Sequence, residues 1–518
     1  MPRTSRKLQI NHVVFIVSAA TILGVVSFAA LAPNLLLKVF STLQATITTY
    51  CGWLYILAMT FFLGFVSWLA ISPYGRVRLG DDNSKPEFST LTWLAMLFSA
   101  GMGIGILFYG IAEPLMHFNA PAPFGCEPGS QEAARSAMGI TVFHWGLHPW
   151  ACYSVVGLAI AYFGFRKGLP ISIRSAFYPL LGERIYGWPG HVIDILAIVS
   201  TMFGVATSLG LGSMQVNAGL AHVYGIEQNT FVQIIIIAAI TAVATISVVT
   251  GINAGIRRLS ETNMILAASL MLFVAGLGPT LYILKSIGVN LGSYLQILPT
   301  HSFWCVSADA TKQSWLNSWT IFYWGWWIAW SPFVGMFVAR ISRGRTIREF
   351  VVCVLVVPTL LSLIWFSVFG NSALSTQLFG AGNLTDAVNQ DVARALFIFL
   401  ETYPLASITC TAGILCVILF FVTSSDSASL VIDTIASGGV EDPPIRQRVF
   451  WAITEGVVAT ALLLAGGLKA LQTAAITSAL PFIFVLLLMV YCLHRALRSE
   501  GVKYKNSSRG LFKGQPSK

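Results

Sequence analysis

Charge is scarce in this chain. Only 10% of its 518 residues are Asp, Glu, Lys or Arg, against roughly 25% in a soluble domain. With 56% hydrophobic residues, much of its surface has to face lipid. No low-complexity stretch and no segment with soluble-domain composition interrupts the apolar runs. The eight cysteines form no C-x-x-C pair, which argues against a zinc or redox centre. Most sit inside apolar segments (Cys51, Cys152, Cys353, Cys410, Cys416, Cys492), while Cys126 and Cys305 fall outside them, where a disulfide is an open question. The net charge of +10 is spread over short loops rather than gathered on one face, so nucleic acid is not an expected partner. An enzyme would need converging acids, bases or a metal set, and none stands out. A channel would want a continuous polar stripe, which the aromatic clusters described below interrupt.

The apolar runs themselves set the class. A helix needs about 20 apolar residues to cross the hydrocarbon core. Twelve such runs are read at 13–33, 50–71, 89–115, 137–165, 190–222, 231–250, 260–284, 315–340, 346–370, 404–430, 447–467 and 470–494. The fold class is therefore all-α integral membrane with twelve transmembrane helices. The first run lacks a small-residue cleavage site and is read as a retained helix. With a cytoplasmic N-terminus, only Lys38, Arg135, Lys285, Lys312, Arg394 and Lys469 of the 31 Lys and Arg residues fall outside. That asymmetry is the positive-inside pattern, and it predicts both termini in the cytoplasm. The outer segments 285–314 and 371–403 are mixed in character. Each predicts an amphipathic helix on the outer surface, with Val392 to Glu401 suitably spaced. The basic residues 495–518 read as a cytoplasmic tail, either unstructured or held at the anionic inner leaflet.

Four clusters inside the runs carry chemistry. Ser99-Ala100-Gly101-Met102-Gly103-Ile104-Gly105 is too glycine-dense for a stable helix. A broken helix in lipid survives only where its backbone lines a cavity or is buried in protein, and transporters place ions and solutes there. Close packing against a neighbouring helix is the plainer reading.

The run from Trp319 to Trp330 holds five tryptophans, with Phe322 and Tyr323 among them. Trp326, Trp327 and Trp330 lie roughly 15–25 Å from the cytoplasmic end, at ~1.5 Å per residue. That is too deep for an interfacial belt. Tryptophan faces without a nearby acid suit a quaternary ammonium, which has no N–H to donate. Each good desolvated cation–π contact contributes about 2 kcal/mol. A bulky packing seam is the alternative. Trp145, Trp150 and Tyr153 repeat the theme, and Pro149 predicts a kink. His144 and His148 have metal-ligand spacing but no evident third ligand, so neutral hydrogen-bonded histidines are expected. Phe420 to Ser427 ends an apolar run with Thr423, Ser424 and Ser425, hard oxygen donors suited to sodium, unless they back-bond within a helix. Asp426 reads as functional by its position, or as a helix cap.

The motifs G-M-G-I-G with A-E-P at 112–114, H-W-x-L-H-P-W-x-x-Y at 144–153, F-Y-W-x-W-W-x-x-W-S-P-F at 322–333, A-R-I-S-R-G-R-T-I-R-E-F at 339–350 and T-S-S-D-S at 423–427 resemble the betaine–choline–carnitine transporter family along nearly the whole chain. The resemblance implies a LeuT-like inverted five-plus-five repeat preceded by two extra helices, and a homotrimer in the bacterial inner membrane. The chain then divides into a cytoplasmic N-terminus (1–12), two accessory helices with their loop (13–88), a first repeat (89–284), an outer amphipathic linker (285–314), a second repeat (315–494) and the basic tail (495–518). It further implies an aromatic box of Trp145, Trp150, Tyr153 and Trp327, with Trp326 and Trp330 alongside and Gly101, Gly103 and Gly105 at the solute. Sodium is implied at Ser99, Met102, Phe420, Thr423 and Ser424, with a second ion at Thr207. No cofactor is expected besides this coupling ion. Choline members that couple to protons tend to carry an acid where this chain has Gly105, and sodium-independent carnitine exchangers an Arg where it has Asn263. The expectation is sodium-coupled import of glycine betaine. Choline, carnitine and dimethylsulfoniopropionate carriers are the alternatives. The short tails depart from members that sense osmotic stress through a long C-terminal helix.

Overall fold

The computed structural model describes residues 10–512, apart from Met102, Ala122, 251–252, 381–382 and 441–442. Among these residues the regular structure is helical, and the only sheet-like pairing is an isolated bridge between Arg78 and Thr346. The first two helices are α1 (His12–Leu31) and α2 (Pro33–Ile71). Asn11 caps α1 by accepting the Val14 N–H, and α2 opens on a proline, whose missing N–H costs nothing there. Two broken crossings follow: α3 (Thr90–Gly101) with α4 (Ile104–Asn119), and α5 (Gln131–Trp145) with α6 (Leu147–Ala161). After the short α7 (Tyr178–Leu181) come α8 (Trp188–Tyr224), α9 (Thr230–Thr250) and α10 (Asn253–Leu277). A pair, α11 (Thr280–His301) and α12 (Ala310–Ser318), leads to the tryptophan-rich α13 (Thr320–Ile341) and to α14 (Ile347–Phe379). The chain closes with α15 (Leu384–Gln390), α16 (Ala395–Glu401), α17 (Ala406–Ala436) and α18 (Ile445–Phe512).

Eight described helices are long and apolar enough to cross a membrane by length and composition, so this is a multi-pass membrane protein. The halves of the broken crossings are each too short to count alone, at 12, 16, 15 and 15 residues. Helix α18 counts once, yet Gly466 and Gly467 are non-helical within it, and Gly467 has φ 57°, where a Cβ would be strained.

Helix α13 runs through the middle of the bundle, packed by α6, α8 and α18. Its approach to α6 is close: a Cβ on Gly335 would meet Val156 Cβ at 2.5 Å, and one on Gly157 would meet the Gly335 carbonyl at 3.2 Å. Small residues at such a crossing let two backbones come together in lipid.

Three expectations need correction. Helix α11 starts at Thr280, before the expected linker, because Pro279 precedes it and α10 ends at Leu277. The segment from Val392 to Glu401 does not lie on the surface. Its Leu396, Phe397, Phe399 and Leu400 are fully buried against neighbouring helices. The tail is not unstructured from residue 495, since α18 continues to Phe512. Glu500 anchors that end. It accepts the Tyr162 hydroxyl at 2.5 Å and the Arg166 Nε–H at 2.6 Å, and pairs with Lys167. Arg166 also reaches Asp82 and the Gly80 carbonyl.

Candidate solute-binding site

Two helix breaks lie beside α13. At the first, Gly103 is extended (φ −166°) and offers no side chain to cap α4. The first N–H groups of α4 are therefore unpaired within the helix. Met102 lies outside the described residues. Gly105 lets two rings close in on α4: a Cβ there would meet Cη2 of both Trp145 and Trp326 at 2.8 Å.

The second break falls at Gly146, not at Pro149 as the sequence suggested. Pro149 sits in the first turn of α6, where it is tolerated. A Cβ on Gly146 would meet the Val142 carbonyl at 2.6 Å and the Tyr294 hydroxyl at 2.8 Å. Tyr294, on α11, accepts the Leu147 N–H at 3.0 Å and so satisfies one orphan donor of α6. The break splits the aromatic set: Trp145 is the last residue of α5, while Trp150 and Tyr153 begin α6.

From α13, Trp326 and Trp327 stack with centroids 4.8 Å apart and planes at 11°. Trp145 meets Trp327 edge-on at 4.8 Å, and Trp150 meets Tyr153 edge-on at 5.3 Å. These rings, with Trp330, Gly103, Gly105 and Ser208, line one cavity of about 40 Å³. On this measure about 10–15 Å³ holds one water, so the rings stand close together around a small space. Indole polar atoms are individually placed: Trp327 donates to the His144 carbonyl at 2.9 Å, and Trp326 to Ser208 Oγ at 3.2 Å. The Trp330 N–H is buried without a partner. Gly101 ends α3 at the margin of this break.

Behind the box lies a charge that sequence reading passed over. Glu113 of α4 is fully buried. Its Oε1 accepts from His144 Nδ1 (2.6 Å) and His117 Nε2 (3.3 Å); its Oε2 accepts from Trp145 Nε1 (2.9 Å) and Tyr323 Oη (2.5 Å). His144 Nε2 faces Thr320 Oγ1 at 3.0 Å. Ligand atoms of Glu113, His117 and His144 lie within 4.8 Å of one another, so a convergent polar set does exist. The only local signal was one acid in an apolar run, A-E-P at 112–114. His144 and His148 do not act as a pair: the break lies between them, and His148 Nε2 meets Ser302 Oγ at 3.1 Å.

The hydroxyl run on α17 is also differently placed. The helix does not end near Ser427 but continues to Ala436. Thr423 Oγ1 back-bonds to the Leu419 carbonyl at 2.9 Å, leaving its lone pairs as acceptors. Phe420 is buried and Ser424 half-buried, and Ser99 sits near the end of α3. Ser425 and Ser429 donate instead to Glu455 of α18, at 2.8 and 3.0 Å. Asp426 is mid-helix rather than a cap, 3.5 Å from Arg448. Thr207 Oγ1 contacts the carbonyls of Phe203 and Leu471 at 2.8 and 2.9 Å, bridging α8 to α18 beside its break. Asn263 is buried on α10 with Oδ1 unpartnered. Cys126 and Cys305 are both free.

Broken helices meeting at a buried aromatic cavity in a multi-pass bundle are the arrangement of a membrane transporter for a small solute. The chain belongs to the betaine/carnitine/choline family of transporters, whose family model matches residues 13–502. It is 45% identical over 493 residues to a probable glycine betaine transporter of Desulfitobacterium hafniense, covering 95% of this chain and 98% of that one. It is also 45% identical over 497 residues to the glycine betaine transporter OpuD of Bacillus subtilis (96% and 95% covered). A glycine betaine/proline/choline transporter of Vibrio parahaemolyticus is 44% identical over 509 residues (95% and 91% covered).

Proposed function

We propose that this carrier imports glycine betaine by sodium symport across the bacterial inner membrane. The observation that supports it most is the convergence of six aromatic rings on one cavity beside the uncapped start of α4. The trimethylammonium group sits between Trp145, Trp150, Tyr153 and Trp327, with Trp326 and Trp330 alongside, once these packed rings part to admit it, and ring quadrupoles then hold it. The carboxylate of a zwitterion suits the free N–H groups at the start of α4, where the helix dipole favours negative charge. Gly105 leaves no acid to take that place, which favours a zwitterion over choline. The relatives named for glycine betaine point the same way.

In this reading the polypeptide crosses twelve times, each broken pair counting once and α18 twice. The helices form an inverted repeat, both termini are cytoplasmic and the assembly is a homotrimer. Sodium binds at the α3–α4 break through Ser99 and Met102, against Phe420, Thr423 and Ser424 of α17, and orders it for the solute. Thr207 contributes to a second ion. One repeat then rocks against the other and opens the inner side.

The test is uptake of labelled glycine betaine into proteoliposomes, with and without a sodium gradient, for the wild type and Trp327→Ala. Accumulation that needs sodium and vanishes in the variant supports solute, ion and box together. Equal accumulation without sodium overturns the coupling. Entry of choline or carnitine but not betaine overturns the reading of Gly105 and Asn263.

A further inference from the structure

We propose that Glu113 is the positioning residue of the solute site, the single carboxylate from which both facing tryptophans of the box are hung. The inference rests on the aromatic-box reading above and adds a residue to it.

A carboxylate at this depth is costly unless every acceptor site is used. Glu113 is fully buried, and its four partners are all donors: two imidazoles, one indole and one phenol. Trp145 is itself a wall of the cavity, so one bond from Oε2 sets the angle of that ring directly. Trp327 is reached by two routes. His144 donates to Oε1 through Nδ1 and accepts the Trp327 indole N–H on its backbone carbonyl. Tyr323 donates to Oε2 and lies nearly parallel to Trp327, with centroids 5.8 Å apart and planes at 23°.

The chemistry explains why a carboxylate stands here. An indole N–H only donates, and an ionised carboxylate only accepts. An amide of the same size would turn an NH₂ toward at least one of these donors. Cation–π attraction depends on where the cation sits over the ring face, so a small rotation of Trp145 weakens the grip without removing any contacting group. Glu113 itself does not line the cavity, and it acts only through the rings.

The test uses the full-length carrier in proteoliposomes, with solute affinity read from intrinsic tryptophan fluorescence and transport from labelled glycine betaine uptake. Losing a charge-assisted acceptor shared by two rings should raise Kd and KM about tenfold in Glu113→Gln, with Vmax changed far less. Glu113→Asp, which keeps the charge on a shorter arm, should recover part of that loss. Should Glu113→Gln not fold, Trp145→Phe and Tyr323→Phe each remove one donor while keeping a ring, and each should raise Kd severalfold. A merely structural carboxylate is separated by coupling. In a Trp145→Phe, Tyr323→Phe background, Glu113→Gln should add about twofold or less. A full tenfold addition there overturns the proposal. So does wild-type Kd in Glu113→Gln while Trp327→Ala abolishes binding. Intact binding in Trp327→Ala instead overturns the box, and this inference with it.

Discussion

The indole of Trp327 on α13 donates to the main-chain carbonyl of His144, 2.9 Å away in the last turn of α5. In an unbroken helix that carbonyl would accept from the residue four positions on. The break at Gly146 frees it, and α13 uses it. An interruption in one helix thus becomes the anchor for a ring on another.

Trp327→Phe keeps a ring face and removes this bond. Its loss should weaken glycine betaine binding about fivefold through the roughly 1 kcal/mol of an ordinary hydrogen bond. Trp327→Ala should abolish measurable binding. Titration followed by tryptophan fluorescence, or by calorimetry on purified protein, separates the two.

Gly105→Ala tests the space between Trp145 and Trp326. A methyl group there stands 2.8 Å from both rings, and overpacking of this kind costs about 1–3 kcal/mol. The melting temperature in detergent should fall, and solute affinity should drop as the two displaced rings no longer meet the solute. An unchanged Kd would mean the rings part more easily than their packing implies.

Tyr294→Phe removes the acceptor of the Leu147 N–H at the start of α6. A buried donor left unpaired costs about 1–3 kcal/mol. A thermal melt should move down by a few degrees. Uptake should slow more than binding weakens, because this hydroxyl holds the α6 side of the break and is not part of the aromatic box.

Glu455 is buried, and Ser425 and Ser429 both donate to it. Ser425→Ala and Ser429→Ala should each destabilise by about 1–3 kcal/mol. The pair should be non-additive, since both share one carboxylate. Additive losses in denaturation would show that the two hydroxyls act independently.

How much of this was legible in the chain depends on the reach of each contact. The glycine-dense break at 101–105 and the tryptophans of α13 are local, and both read directly. Glu113 did not, because its partners His144 and Tyr323 lie 31 and 210 positions away; one acid in an apolar run says nothing about what meets it. The second break was assigned to Pro149, the stronger helix breaker by propensity. In fact it fell on Gly146, where Tyr294 from a distant helix fills the gap. The hydroxyl run at 423–427 looked like a helix end. Back-bonding by Thr423 and the acceptance of Ser425 and Ser429 by Glu455 let α17 continue to Ala436.

A cavity of about 40 Å³ has a kinetic consequence. A trimethylammonium group is larger than this space, so under the proposed function the indoles of Trp145 and Trp327, 4.8 Å apart, have to part before the solute can sit between them. The rate of that parting then sets an upper bound on the rate of passage.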